Sequence, residues 1–357
     1  IKLSDNDDID EVKNTKELLK SSFNGLLIYI KTLENKNNTK SIIKYSLVLL
    51  VFIGALFLST QNDGPSKFPK VVTDKFTFTA WVNEGEDYLK KNYRWITKIL
   101  ANYIKAGYYF LEDFLLDSPW ILVAAILTLP CFIVGGLKLG LFSCFVIYFW
   151  GAVGLWEASL QTVALMGLSV FLCVFFGVLL GIACSQSDRF ENFMKPVLDT
   201  MQVMPAFVYL FPALFFFGIG GAPAILATMI YSMPPIIRLT NTGIRQVSKE
   251  TVESATSFGS SKLQLLLKIK IPMSLPSIMM GINQVIMMAL ALVVLACFIG
   301  AEGIGGQVWQ AIRRLDVGWA MEGGLCILFM AIMFDRFSKA CSNKEDKLPS
   351  NVKKFHL

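Results

Sequence analysis

The chain has 357 residues and a formal net charge of +6, with 54% hydrophobic residues and only 17% charged residues. Because soluble domains carry roughly 25% charged residues, this composition excludes a typical cytosolic enzyme, a secreted disulfide scaffold and a disordered chain. It predicts an all-α polytopic membrane protein.

Eight stretches are apolar enough to be candidate membrane-spanning helices, since about 20 helical residues cross 30 Å of hydrocarbon. In chain order they are residues 41–60, 119–136, 138–156, 158–184, 200–219, 222–237, 273–300 and 319–335. Their long apolar runs lack the alternation that is typical of a β-barrel strand. We therefore expect about 8 transmembrane helices, of which the first, 41–60, lies well before the others.

Basic residues predict the orientation, because Lys and Arg are enriched in cytoplasmic loops. The stretch 238–270 and the tail 336–357 are both rich in Lys and Arg, and two spans separate them. Both are expected in the cytoplasm. Counting back places residues 1–40 inside, as an N-terminal tail, and residues 61–118 outside, although this outer segment itself carries eight basic residues.

The outer segment 61–118 contains an amphipathic pattern from Tyr88 to Leu116. Its apolar residues fall on one helical stripe: Leu89, Ile96, Leu100, Tyr103, Phe110 and Phe114. Lysines and an arginine lie between them, which is typical of a helix in the membrane interface. Packing of this helix against a partner is the alternative.

Few groups are available for catalysis or metal binding. The only histidine is His356, and the seven cysteines form no C-x-x-C pair. No phosphate-binding P-loop motif is present. We therefore expect no catalytic residue, no metal site and no cofactor in this chain.

The stretch 245–272 predicts a compact pair of short helices between two spans. Ser248 is a favourable N-cap residue, and Glu250 falls in the first helical turn, where an acid is stabilising. The first helix runs over Lys249–Phe258, and Gly259 is expected to end it.

The second helix of this stretch can begin after Ser260 or Ser261 and is expected to end before Pro272. Glu253 is then displayed near the tip of the first helix. So much capping in a loop favours a rigid element that binds another protein.

The same stretch resembles the permease subunits of ABC importers, which share Glu-Ala-Ala, three residues, Gly, nine residues and Ile-x-Leu-Pro. This chain has Glu253-Ser254-Ala255, then Gly259, then Ile269-Lys270-Ile271-Pro272 at that spacing. The departures are Ser254 for Ala and Ile271 for Leu. The resemblance implies a type I ABC importer permease fold over 119–335, with 245–272 as the segment that couples to a partner ATPase.

Other stretches resemble the glycine betaine/proline (quaternary ammonium) uptake permeases. They are Asp199–Tyr209, Ile230–Thr240, Gly243–Val247, Ile304-Gly305, Arg314–Asp316 and Asp335-Arg336. The likeness runs from about Trp81 to Lys339, whereas residues 1–70 are less similar to the family. Since no binding domain follows residue 340, a separate extracytoplasmic binding protein is expected.

The resemblance implies a multi-pass protein of the bacterial inner membrane with a cytoplasmic C-terminus. Its implied partners are a second permease copy and ABC ATPase subunits that carry ATP and Mg. The residues implied to contact the ATPase are Glu250, Glu253, Ser254, Ala255, Gly259, Ile269 and Pro272.

The candidate pathway residues are Gln202, Pro205, Phe207, Tyr209, Asn283 and Gln284. Prolines within spans free backbone carbonyls, and aromatic rings such as those of Phe207, Tyr209 and Trp309 can attract a quaternary ammonium group. Two alternatives stay open at this point: an importer of another solute, such as choline, carnitine, dimethylsulfoniopropionate or an amino acid, and a stand-alone channel or secondary transporter.

Overall fold

The computed structural model describes residues 45–54 and 78–346, and the side chains of residues 45–54 and 79–342. These residues form helices and turns, with no strand among them. The predicted tail 1–40, residues 61–77 of the outer segment and the end of the 336–357 tail lie outside the described residues. The chain divides into two compact units, Ile1–Asp87 and Tyr88–Leu357.

The helices are numbered here in chain order. They are α1 Tyr45–Gly54, α2 Phe78–Asp117, α3 Trp120–Ala152, α4 Trp156–Gln186, α5 Asp188–Val203, α6 Leu210–Phe217, α7 Gly221–Arg245, α8 Lys249–Ser257, α9 Lys262–Leu265, α10 Ile271–Leu295, α11 Ile304–Arg314 and α12 Val317–Asp346. A 3₁₀ turn, Ala206–Tyr209, precedes α6, and another, Ala296–Ile299, follows α10.

Five helices in the described part of the chain are long and apolar enough to cross a membrane, or six if a bent pair counts as one span. The five are α3, α4, α7, the continuous helix Lys262–Ile299 and the Val317–Ser342 portion of α12. The expected number of eight spans is therefore not reached. One reason is that α1 supplies only ten described residues of the predicted span 41–60, and another is that α3 occupies two predicted spans.

The helix α3 folds back on itself at Gly136, whose φ of 73° and ψ of −171° are not helical. A Cβ atom on Gly140 would lie 2.1 Å from the Phe132 ring, although eight residues separate the two by about 12 Å along a straight helix. Two arms of α3 therefore run side by side. They occupy the stretches predicted as separate spans, and each is about 24 Å long, shorter than the 30 Å hydrocarbon layer.

The long helix α2 extends beyond the predicted Tyr88–Leu116 stretch. From Tyr88 onward, the apolar stripe predicted for it is its exposed face, with Tyr103 76% exposed. The buried face is a different one: Ala101, Ile104, Tyr108, Glu112 and Leu115. The C-terminal half of α2 thus packs against the core of its own chain, and the exposed apolar stripe is free to face lipid.

The helix α7 lies at the centre of the bundle, between α4 and α10. Its residue Ile236 is fully buried between two glycines. A Cβ on Gly177 of α4 would lie 2.2 Å from Ile236 Cγ2, and one on Gly281 of α10 would lie 2.8 Å from Ile236 Cδ1. Small residues let membrane helices approach closely, and Ile236 thus packs α7 tightly against both α4 and α10.

Candidate functional site

The predicted coupling helix is present as α8, and a glycine ends it as expected. Gly259 has a φ of 83°, a conformation that costs a residue with a side chain about 1–2 kcal/mol. Its N–H donates to the Thr256 carbonyl at 2.9 Å, and the N–H of Ser260 donates to the Ala255 carbonyl at 3.1 Å. This pair of bonds is a Schellman motif, which fixes the direction in which the chain leaves α8.

The N-terminus of α8 differs in detail from the prediction. Ser248 occupies the N-cap position, but its hydroxyl pairs with Thr251 Oγ1 at 2.6 Å and makes no hydrogen bond to a backbone N–H. Glu250 lies in the first turn, as predicted. The helix is therefore capped less completely at this end than its sequence suggested.

The surface of α8 is open along its whole length, because none of its residues is buried. Glu253 and Ser254 are both exposed. Phe258, next to Gly259, is 91% exposed, and Leu263 and Leu267 of the following turn are exposed as well. Exposed apolar groups on a rigid polar loop mark a protein-binding surface. The sequence pattern singled out Glu253 and missed Phe258, although an aromatic residue beside a helix-ending glycine is itself a signal.

The second helix of the loop begins at a capping box that selects Ser261 over Ser260. Ser261 Oγ accepts from the Gln264 N–H at 3.3 Å, and Gln264 Oε1 accepts from the Ser261 N–H at 2.9 Å. This box fixes the start of α9.

The expectation that this second helix ends before Pro272 is wrong. The chain continues through a π-helical turn, Leu266–Lys270, into α10, and Ile271 N–H donates to the Leu266 carbonyl. Because Pro272 has no N–H to donate, the wider turn accommodates it within a continuous helix. The side chain of Pro272 is exposed, and that of Ile269 is half-buried. Lys262–Ile299 is therefore one rod of 38 residues.

The candidate span 200–219 is sharply bent. The helices α5 and α6, with the 3₁₀ turn between them, meet at 109°. Met204 and Pro205 have extended backbones at the break, because a proline disfavours helical geometry in the residue before it. The Tyr209 hydroxyl donates to the Met201 carbonyl at 2.5 Å and ties the two sides of the break together.

Four aromatic rings form a row beside this break, here called the aromatic row. The ring centroids of Phe211 and Phe207 are 5.0 Å apart, those of Phe207 and Phe298 5.7 Å, and those of Phe298 and Trp309 4.8 Å. Phe207 and Phe298 are both nearly half exposed. An aromatic face of this kind attracts an ammonium group.

The remaining predicted pathway residues lie elsewhere. Tyr209 pairs with Tyr231, at a centroid distance of 5.6 Å. Gln202 is exposed in the last turn of α5, Gln284 is exposed on α10, and Asn283 is half-buried beside it. Across the described side chains, no hydrogen bond or ring contact joins Gln202, Asn283 or Gln284 to the aromatic row. The structure thus brings together Phe207 and Trp309 of the predicted aromatic set.

A polar cluster near the start of α11 was not predicted. Gln161 Nε2 donates to Glu302 Oε2 at 2.7 Å, and the buried Glu112 of α2 lies beside Gln161 and Tyr108. Burial raises the pKa of Glu112. Sequence patterns missed Glu112 because a single acid in an amphipathic helix is usually solvated.

Within the described ranges, no group of three or more His, Cys, Asp and Glu side chains is arranged to hold a metal ion. The expectation of no metal site and no cofactor stays a prediction.

Residues 173–335 match the family described as binding-protein-dependent transport system inner membrane component. The chain is 37% identical over 264 residues to the glycine betaine/proline betaine transport system permease protein ProW of Escherichia coli, covering 73% of this chain and 74% of ProW. It is 43% identical over 254 residues to the glycine betaine/carnitine transport permease protein GbuB of Listeria monocytogenes, covering 70% and 88%.

A solved structure supports the fold. An inward-facing form of the MetNI methionine ABC transporter matches with a TM-score of 0.51 at 14% identity, covering 54% of this chain and 95% of that one. The match shows the permease fold alone.

Proposed function

Since this chain belongs to the family of binding-protein-dependent transport system inner membrane components, as a permease subunit of an ABC importer, we propose that it imports glycine betaine, proline betaine or a related quaternary ammonium solute. The protein is a multi-pass component of the inner membrane. The observation that carries the choice of solute is its likeness to permeases named for betaines over more than two thirds of their lengths.

The aromatic row supports this solute class. A quaternary ammonium group cannot donate a hydrogen bond, so aromatic faces are the neutral groups best suited to attract it. Phe207 and Phe298 present such faces without exposing a strong hydrogen-bonding group. Carnitine is the second candidate, because the Listeria relative is named for both glycine betaine and carnitine.

ATP hydrolysis is assigned to a partner. We place α8 in a cleft of an ABC ATPase subunit that binds ATP and Mg, with Phe258 as the apolar contact and Glu253 as a polar one. The other contact residues carried over from the family motif are Glu250, Ser254, Ala255 and Gly259, with Ile269 in the π-helical turn that follows α9 and Pro272 in the first turn of α10. A second copy of this chain completes the pathway, and a binding protein delivers solute from outside. The C-terminus of this chain would then be cytoplasmic.

The geometry supplies a route from ATPase movement to solute access. Lys262–Ile299 is a continuous rod about 57 Å long, so a push on α9 tilts α10 as a unit. Because Ile236 is packed between α4 and α10, α7 follows the tilt. Closure of the ATPases would in this way change which side of the membrane the pathway faces.

The proposal is tested by reconstituting this chain with its ATPase and binding protein in liposomes and measuring uptake of radiolabelled glycine betaine. We expect uptake that requires ATP on the ATPase side and that excess unlabelled proline betaine or carnitine reduces. Uptake by the chain alone, or uptake driven by a proton or sodium gradient, would instead establish a stand-alone transporter.

A further inference from the structure

The last residue of α7, Arg245, lies three positions before the Ser248 cap of α8. Its side chain is 32% exposed and uses three nitrogens as donors. Nη1 donates to Asp188 Oδ1 at 2.6 Å, Nη2 donates to the Cys184 carbonyl at 2.9 Å and approaches Glu191 Oε2 at 3.1 Å, and Nε donates to Asn241 Oδ1 at 3.0 Å.

Three of these four acceptors belong to the corner between α4 and α5. The Cys184 carbonyl is near the end of α4, where carbonyls lack a partner within their own helix. Asp188 and Glu191 occupy the first turn of α5. One guanidinium therefore joins the residues that lead into the coupling helix to the beginning of the bent segment.

A second polar contact joins the other end of α5 to α7. This contact is the pair between Arg238 of α7 and Asp199, which lies in the C-terminal half of α5. In the first turn of α5, Glu191 Oε1 also accepts a hydrogen bond from Asn241 Nδ2 of α7 at 3.0 Å. The order of these pairs means that α5 runs antiparallel to α7. A cleft of about 300 Å³ lies between the two helices, and charged side chains such as Glu191 and Lys195 line it together with apolar ones such as Leu198 and Ile237.

The contact between α5 and α7 combines these polar pairs with apolar packing around the buried Leu198, and it is less extensive than the contact between α7 and α10. Close packing resists any relative movement, as at Ile236, whereas hydrogen bonds around a cleft define a position and still permit a second arrangement. The helix α5 leads directly to the break at Pro205 and to Phe207 of the aromatic row.

We propose that Arg245 is a positioning residue that passes the movement of α8 to α5, and so to the bent segment beside the aromatic row. The inference rests on the proposed function, because it assigns a mechanical role within the same transport cycle.

The test compares Arg245→Ala and Arg245→Lys with the matched control Arg189→Ala in the reconstituted complex of permease, ATPase and binding protein. Arg189 is a neighbouring exposed arginine of α5 that makes no ion pair among the described residues. Three quantities are measured: copurification of the ATPase, the rate of ATP hydrolysis, and the number of ATP molecules hydrolysed per solute imported. The last of these separates a coupling role from a purely structural one.

We expect Arg245→Ala to retain the ATPase and to hydrolyse ATP, while the ATP consumed per solute rises by about tenfold, within the usual range of coupling between sites. Arg245→Lys keeps the charge but cannot reach all four acceptors, so its ratio should be intermediate. Arg189→Ala should resemble wild type. If Arg245→Ala hydrolyses the same number of ATP molecules per imported solute as wild type, the inference is overturned, even if less complex is recovered. If Arg245→Ala cannot be purified, an unchanged number in Arg245→Lys overturns the inference. Failure of the wild-type complex to need ATP would instead contradict the proposed function.

Discussion

The side-chain amide of Gln161 donates a hydrogen bond to the carboxylate of Glu302, joining α4 to the glycine-rich turn before α11 at a distance of 2.7 Å. Next to it, the Thr162 hydroxyl accepts from the Ile304 N–H at 2.9 Å. Glu112 of α2 lies beside the same glutamine and is only 6% exposed. A helix that precedes the matched residues 173–335 therefore buries an acid against the core.

The first prediction concerns the charge of Glu112. Burial raises its pKa above the usual 4.5, so the folded protein holds this proton more tightly than the unfolded chain does. The associated stability is present below pH 4.5 and is lost as the pH rises through the folded-state value. Glu112→Gln keeps a hydrogen-bonding side chain without the charge, so its Tm should exceed that of wild type at pH 8 and not at pH 4.

Thermal unfolding of the detergent-solubilised protein, followed from pH 4 to pH 8, checks this prediction. The matched control is Glu157→Gln, which changes an exposed acid at the start of α4. If the difference in Tm between wild type and Glu112→Gln stays constant from pH 4 to pH 8, the charge of Glu112 does not lower the stability of the folded protein, and the prediction is wrong.

The second prediction concerns Gly259, whose φ of 83° is unfavourable for any residue with a side chain. Gly259→Val should weaken the end of α8 by about 1–2 kcal/mol and change the direction of the following chain. We expect normal membrane insertion but less ATPase recovered with the permease. Gly324→Ala, at a helical position with open space for a Cβ, is the control and should copurify normally.

The third prediction concerns Phe258, the most exposed large apolar side chain of the described loop. Truncation of a buried aromatic contact at an interface commonly costs 2 kcal/mol or more, about thirtyfold in affinity. Phe258→Ala should therefore weaken ATPase binding, measured by titrating purified ATPase onto the permease. Phe171→Ala removes another exposed ring, from the spanning helix α4, and an equal loss in that variant would contradict a specific contact.

The fourth prediction concerns Phe298, the central ring between Phe207 and Trp309. Phe298→Leu keeps the apolar volume of the side chain but removes the aromatic ring. If the aromatic row attracts the solute, the loss of a cation–π energy of about 0.5–2 kcal/mol should lower the uptake efficiency by about 2- to 30-fold. Phe298→Tyr should retain most activity. The kinetics of glycine betaine uptake at a saturating concentration of binding protein measure this. Identical kinetics for Phe298→Leu and wild type would show that the aromatic row does not contribute to solute transport.

The sequence predicted the coupling loop well because its determinants are local. Capping serines and a glycine act within a few residues, so the bounds of α8 and the turn at Gly259 could be inferred without tertiary contacts. The continuation of the helix through Pro272 could not be inferred, because a π turn depends on how the two flanking helices pack.

The topology was predicted less well for a physical reason. Hydropathy reports that a stretch is apolar but not whether it is straight, so the fold in α3 at Gly136 was missed. The proline at position 205 indicated a break in its span, but not the angle of 109°. The buried face of α2 was also missed, since in a membrane protein the more apolar face can be the lipid-facing one, and Glu112 accordingly points inward.

The most direct measurement places a photo-crosslinking phenylalanine analogue, p-benzoylphenylalanine, at position 258 in the assembled complex in native membranes. The account predicts a covalent product with the ABC ATPase subunit, and none with that subunit when the analogue replaces Phe171. A product with the extracytoplasmic binding protein, or with lipid alone, would contradict the docking of α8 on an ATPase.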